Sequence, residues 1–248
     1  MDNQHHEGND EGKNKSEWGP RKIFFASVNS INHVLILFLT AYILYLGWDL
    51  SKNTNIHAVF CTLGYVFLMS EAIILIAEEN IWTNFFSRQT NKHLHWILQV
   101  GGSTLSIAGV AIKFNHKKEH FQSTHAITGI ISVSFIILVA LLGVFAFFAF
   151  RLRKMLRPVI FKFLHNFLGV FCFVIGMTSL LYGLEKRWMK NNATEGMAKT
   201  CIIFTYVITL FSLFGAIRSL FNQAGSIFFG VENSSRFRNV WHVGKSPS

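Results

Sequence analysis

Four of the eleven histidines in this 248-residue chain stand at comparable places near the edges of long apolar runs: His57, His95, His125 and His165. Imidazole is the commonest side-chain metal ligand, and ionisable groups at membrane depth are functional candidates. If each run is a helix and consecutive helices are antiparallel, His57 and His125 share one end of the bundle and His95 and His165 the other. The separations within the pairs, 68 and 70 residues, differ by less than one helical turn, so equal depth requires no special loop. A neutral imidazole from each of two facing helices can supply both axial ligands of a haem iron. Two other readings stay open: interfacial histidines that snorkel to water, and a divalent-metal transporter that uses the histidines as a conduction path. Such a path calls for carboxylates facing the histidines, and only Glu71 lies well inside a run. It follows His57 by 14 residues, which on an α-helix puts it within about 40° of the same face and roughly 21 Å deeper. That position faces the bundle, where Glu71 can hydrogen-bond a neighbouring helix or tune a cofactor. Gly129 and Gly169 each follow a candidate ligand by four residues, which suits helix packing or the close approach of a porphyrin.

The elements that must carry these residues follow from composition. The chain is 51% hydrophobic, with 26 Phe and only 15% charged residues, and its mean hydropathy is +0.35. That excludes disorder and fits poorly with a soluble fold. Apolar runs at about Ile31–Trp48, Ala58–Ala77, Trp96–Ile112, Ala126–Phe150, Phe163–Leu184 and Cys201–Leu220 each have the length of a membrane-crossing helix. No alternation suggests a barrel, and backbone groups in lipid must be satisfied within the segment. The expected fold is an all-α membrane protein: a polar N-terminal tail at 1–22, a six-helix transmembrane domain at 23–220 and a polar C-terminal tail at 221–248. The first 20 residues are polar and lack a basic region leading straight into a short apolar segment, so no cleaved signal peptide is expected. Cys61, Cys172 and Cys201 fall inside apolar runs without a CxxC spacing and read as packing residues.

The net charge of +10 does not point to nucleic acid, because the cations are scattered between apolar runs. They report topology instead. The N-terminal tail, the 78–94 and 151–162 loops and the C-terminal segment from Arg218 hold 15 of the 23 Lys and Arg, so both termini are expected in the cytosol. Arg151, Arg153, Lys154 and Arg157 are the decisive cluster. Asn192-Ala193-Thr194 is then a glycosylation sequon on the lumenal or extracellular side, whereas Asn233-Ser234-Ser235 is cytosolic and unused.

The four-His order resembles that of the cytochrome b561 family. The stretches IHAVFCTLGYVFLMSEAI, KHLHWILQ, HKKEHFQSTHAITGI and FLHNFLGV, with GMTSL behind the last, are similar to the D-type branch of cytochrome b561 domain-containing proteins. The resemblance covers about 30–220. It implies a six-helix bundle with two haem b groups between the second and fifth helices, His57 and His125 ligating the non-cytosolic iron and His95 and His165 the cytosolic one. It implies an ascorbate-dependent transmembrane reductase, a translocase of electrons from cytosolic ascorbate to monodehydroascorbate radical or ferric iron on the other side. Lys92 matches a family Lys implicated in ascorbate contact, and His116 falls where relatives carry a substrate-contacting His, with Lys117 and His120 beside it. A homodimer embedded in membrane lipid is family-like, and an endomembrane such as the endoplasmic reticulum is expected rather than the plasma membrane. Two departures stand out. Ascorbate-using relatives carry an Arg-bearing segment after the second span and SLHSW at the third His, where this chain has AIILIAEEN and STHAITG. Glu78 and Glu79 thus stand where a cation is expected, which weakens ascorbate docking there. His33 matches a His of the D-type branch, has no depth-matched partner in the sequence and reads as a polar interface residue.

Overall fold

A computed structural model describes residues 20–76, 85–154 and 157–229, without the side chains of residues 21 and 22. Six helices are long and apolar enough to cross a membrane. They are α1 (Pro20–Leu46), α2 (Asn53–Leu75), α3 (Arg88–Asn115), α4 (Thr124–Phe147), α5 (Pro158–Leu184) and α7 (Glu195–Phe228), with a short α6 (Arg187–Asn192) between the last two. The protein is a multi-pass membrane protein, and among the described residues there is no strand. The last span continues to Phe228, past the polar boundary expected at 220.

Helix starts are written in the sequence. Ser87 Oγ accepts from Thr90 N at 3.0 Å, Ser123 Oγ from Ala126 N at 3.4 Å and Thr194 Oγ1 from Met197 N at 3.3 Å, each capping α3, α4 or α7. Pro158 opens α5, where its missing N–H costs nothing. α2 departs from regularity: Thr62–Met69 is π-helical, a geometry with i→i+5 bonds that takes more residues per turn than an α-helix.

Two hairpins form the core. α2 packs on α3 and α4 on α5, while α3 and α4 touch sparingly, so a gap runs between the hairpins. Glycines bring α2 and α3 close, since a Cβ on Gly102 would sit 2.9 Å from the carbonyl oxygen of Gly64. α1 and α7 flank this core and pack on each other, joined by the buried Asn32, whose Nδ2 donates to Ser212 Oγ at 3.0 Å. Ile36, Leu39, Val66, Met177 and Ile208 fill the interior. Outward-facing apolar residues such as Leu141 and Leu210, 58% and 69% exposed, present the surface that lipid requires.

Candidate functional site

The four histidines pair across the gap as their order implies. The His57 and His125 rings lie 5.8 Å apart between centroids, at the end opposite the helix termini Pro20 and Phe228. The His95 and His165 rings lie 6.4 Å apart at the other end. Every Nδ1 meets a backbone carbonyl on the other helix of its own hairpin. His57 donates to Gly109 O at 3.0 Å and His95 to Ala72 O at 2.7 Å; His125 donates to Ser179 O at 2.8 Å and His165 to Val139 O at 3.2 Å. The relation is reciprocal, each helix of a hairpin orienting the other's histidine. Because a carbonyl only accepts, each Nδ1 carries the proton and each Nε2 keeps its lone pair, the arrangement by which a protein fixes a ligand histidine.

A register underlies this. The accepting carbonyl follows the helix's own histidine by 14 residues in α3 (His95 to Gly109), α4 (His125 to Val139) and α5 (His165 to Ser179), and by 15 in α2 (His57 to Ala72). The extra residue in α2 falls across its π-helical stretch, which absorbs it without losing the face. Regular α-helical counting would turn Glu71 toward His95, but Ala72 takes that phase; Glu71 makes the other contact the sequence allowed, a hydrogen bond to a neighbouring helix, its Oε1 lying 2.8 Å from His33 Nδ1 on α1. His33 therefore does have a depth-matched partner, contrary to expectation, and the two join α1 to α2.

Two glycines stand against the histidine rings, and Gly129 and Gly169 serve helix packing, one of the two readings the sequence allowed. A Cβ on Gly143 would lie 3.2 Å from His165 Cε1, and one on Gly183 3.1 Å from His125 Cε1. Gly129 and Gly169 instead face Ser179 Oγ and Val139 Cγ1 across the α4–α5 contact, at 3.3 and 3.8 Å. Both Gly143 and Gly183 follow the histidine of their own helix by 18 residues, five α-helical turns along the same face. That repeat was a readable signal.

A cavity of about 490 Å³ opens from the His57–His125 pair to the far end. Lys117 and His120 line it, together with Lys113, Lys186, Arg187 and Trp188, which the sequence did not single out. Among the described lining residues there is no Asp or Glu. Lys113 Nζ donates to Thr54 Oγ1 at 2.5 Å, and Trp188 Nε1 to Asn55 Oδ1 at 2.7 Å, which ties α6 to the start of α2. The His120 ring stacks on Phe114 at 3.8 Å between centroids. Phe121 beside it, also in the cavity lining, takes φ 60°, a left-handed backbone that costs a non-glycine residue about 1–2 kcal/mol. His116 lies off the cavity wall, its Nδ1 donating to Ile112 O at 2.9 Å. At the other end, Lys92 is exposed, close enough to Lys162 for their charges to interact, as is Arg88. Glu78, Glu79 and the Asn233 sequon lie outside the described residues.

Residues 56–190 match the family model described as eukaryotic cytochrome b561. The chain belongs to the eukaryotic cytochrome b561 family. It is 25% identical over 185 residues to the mouse protein named transmembrane reductase CYB561D2, covering 72% of this chain and 83% of that one. It is 27% identical over 196 residues to transmembrane ascorbate ferrireductase 1 of Arabidopsis thaliana, covering 73% and 77%. It is 26% identical over 159 residues to the sheep transmembrane ascorbate-dependent reductase CYB561, covering 60% and 59%. The family implies haem b, and the donor set fits it. Two imidazoles facing each other across one metal ion bring their ring centroids to about 6 Å, given a metal–nitrogen bond of ~2.0 Å on each side, and both pairs stand near that spacing. No group of three or more His, Cys, Asp or Glu that could hold a metal ion occurs among the described residues. The one carboxylate inside the spans of the core helices bonds His33 instead, which leaves little for a conduction path to use.

Proposed function

We propose that this cytochrome b561 is a transmembrane one-electron reductase with two haem b groups per chain, one held by His57 and His125 and the other by His95 and His165. The observation that carries the reading is the reciprocal set of Nδ1–carbonyl bonds, which leaves four ligand nitrogens in two facing pairs. When bound, haem supplies the redox couple; the chain supplies orientation, insulation and docking. By the distribution of cations, the end bearing the termini is cytosolic and residues 23–220 form the electron-carrying domain. Cytosolic ascorbate is the donor, as the names of the sheep and Arabidopsis relatives suggest, and Lys92, Arg88 and Lys162 offer charge for the anion. The electron leaves at the far end, where monodehydroascorbate radical or ferric iron is reduced.

Charge favours one form of acceptor. Lys113, Lys117, Lys186 and Arg187 line the cavity, with no Asp or Glu among its described lining residues, which favours an anion over a free ferric cation. The acceptor is therefore monodehydroascorbate or iron within an anionic chelate, with His120 stacked at the mouth. His116 is a rim residue in this reading.

The test is haem stoichiometry joined to vesicle transport. Purified protein is expected to show the reducible bands of low-spin bis-His haem at about two per chain, a number set by the two pairs, and His57→Ala or His165→Ala to remove one of them. Ascorbate trapped inside vesicles should then reduce an external anionic ferric chelate. A haem-free preparation, or loss of both haems from each single variant, would refute the assignment.

A further inference from the structure

The register that places the histidines also defines a middle. Half-way between each histidine and the carbonyl of its own helix stand Tyr65, Gly102, Ser132 and Cys172, seven residues after the histidine in α3, α4 and α5 and eight in α2. Three of the four meet. The Tyr65 hydroxyl hydrogen-bonds Ser132 Oγ, and the Cys172 thiol lies 3.7 Å from Ser132 O as a donor. The Tyr65 ring presses on Gly176 of α5, where any Cβ would collide with it. Tyr65, Ser132 and Cys172 are 6%, 2% and 6% exposed. Tyr65, Ser132 and Gly176 also line the cavity that contains His57 and His125, and from their depth they form its inner floor.

Tyr65 thus reaches from the α2–α3 hairpin across the gap to both helices of the other hairpin, at mid-depth. The two histidine levels are about 21 Å apart along the helices. An electron crossing that span tunnels through the atoms between, and coupling is favoured by continuous close packing and lost across voids.

We propose that the Tyr65 ring is the mid-membrane relay of this protein, the packed bridge through which the electron couples from the His95–His165 level to the His57–His125 level. Ser132 anchors its hydroxyl, and Gly176 makes room for the ring. The inference rests on the two-haem reading above. With haem held at both levels, the step would move one electron and no atoms: the group held by His95 and His165 would lose the electron that the group held by His57 and His125 gains, and no bond would form or break. Tyr65 supplies orbitals and contact and is itself neither oxidised nor deprotonated.

The test uses full-length protein in detergent with both haems bound. A laser flash injects one electron, and the spectral redistribution between the haems gives the transfer rate, while haem content and both midpoint potentials are measured alongside. Tyr65→Phe keeps the ring and is expected to retain the rate. Tyr65→Leu is expected to slow it about tenfold through lost packing contact, with two haems and unmoved potentials. Wild-type transfer in Tyr65→Leu with both haems present overturns the relay. Should Tyr65→Leu lose haem, Tyr65→Met repeats the test, and haem loss from both makes the ring structural and also overturns it. Wild-type protein that binds fewer than two haems fails the underlying reading instead.

Discussion

The glycine at 183 offers a quantitative test of how the far-end histidine is held. In a helix interior, Gly→Ala is intrinsically favourable by about 0.5–1 kcal/mol, so an increase in stability is the default. Here the added methyl would lie 3.1 Å from His125 Cε1 and 3.4 Å from its Nδ1. The ring cannot retreat freely, because Nδ1 is bound to Ser179 O at 2.8 Å one turn away. Moving it gives up a hydrogen bond worth about 1 kcal/mol, and keeping it in place incurs overpacking of about 1–3 kcal/mol. Either course outweighs the helix gain. Loss of the outer hydrogen bond to a ligand histidine typically lowers metal affinity by about 10–100-fold. On the two-haem proposal, Gly183→Ala should therefore weaken the far-end haem selectively, read as a haem-to-protein ratio falling toward one and a shifted midpoint potential for the haem that remains partly bound. Gly143→Ala, with its methyl 3.2 Å from His165 Cε1, should do the same at the other site. Gly196→Ala, which meets nothing within 4 Å, is the control and should change neither. Full retention of both haems at wild-type potentials in Gly183→Ala would refute the claim that the glycines set the ring positions.

Charge at the far cavity should govern acceptor affinity. Lys186→Ala with Arg187→Ala is expected to raise KM for an anionic ferric chelate several-fold, with kcat and haem content unchanged and the effect fading at high salt. The His33–Glu71 pair joins α1 to α2 at 2.8 Å; Glu71→Ala should cost about 1.5–3 kcal/mol as a lost charge-assisted bond, measured as a lower Tm, while the haem spectrum stays put because Glu71 faces α1. In the loop before α2, the hydrogen bond from Ser51, followed by that from Lys52, holds the half-buried Asp49 carboxyl below its usual range. A lowered folded value means that its contribution is present above the unfolded pKa of about 3.9 and is lost as pH falls through the folded value. Asp49→Asn should remove that acid sensitivity from a thermal melt taken between pH 5 and pH 2, and little else.

The spans and the histidine order were legible because both rest on signals that survive without coordinates: a long apolar run has few fates in a membrane, and antiparallel alternation fixes which histidines share a depth. The charged wall of the cavity was legible only in part. Lys117 and His120 adjoin the far end of α3 in sequence, whereas Lys186, Arg187 and Trp188 reach the cavity through α6, a turn of helix tied to α2 by the Trp188–Asn55 bond. No local pattern announces that bond. His116 illustrates the converse: it stands one residue from Lys117, but the helix end turns it back on Ile112.

The phase of Glu71 has a more general cause. Counting by 100° per residue is reliable only while the hydrogen bonding stays i→i−4, and α2 breaks that condition between Thr62 and Met69. A single residue beyond the regular count moves the phase by about 100°, enough to exchange a core-facing position for one facing a flanking helix. In α2 that exchange keeps a carboxylate away from His95 and gives the position to Ala72, whose carbonyl is what His95 needs. The same irregularity carries Tyr65 eight residues from His57 rather than seven, level with Ser132 and Cys172. Deleting one residue within Thr62–Met69 would restore regular α-helix at the cost of this alignment. Such a deletion should turn Glu71 toward the histidines and Tyr65 away from Ser132, so it should damage haem binding at the His95 site far more than any single conservative substitution in the same stretch.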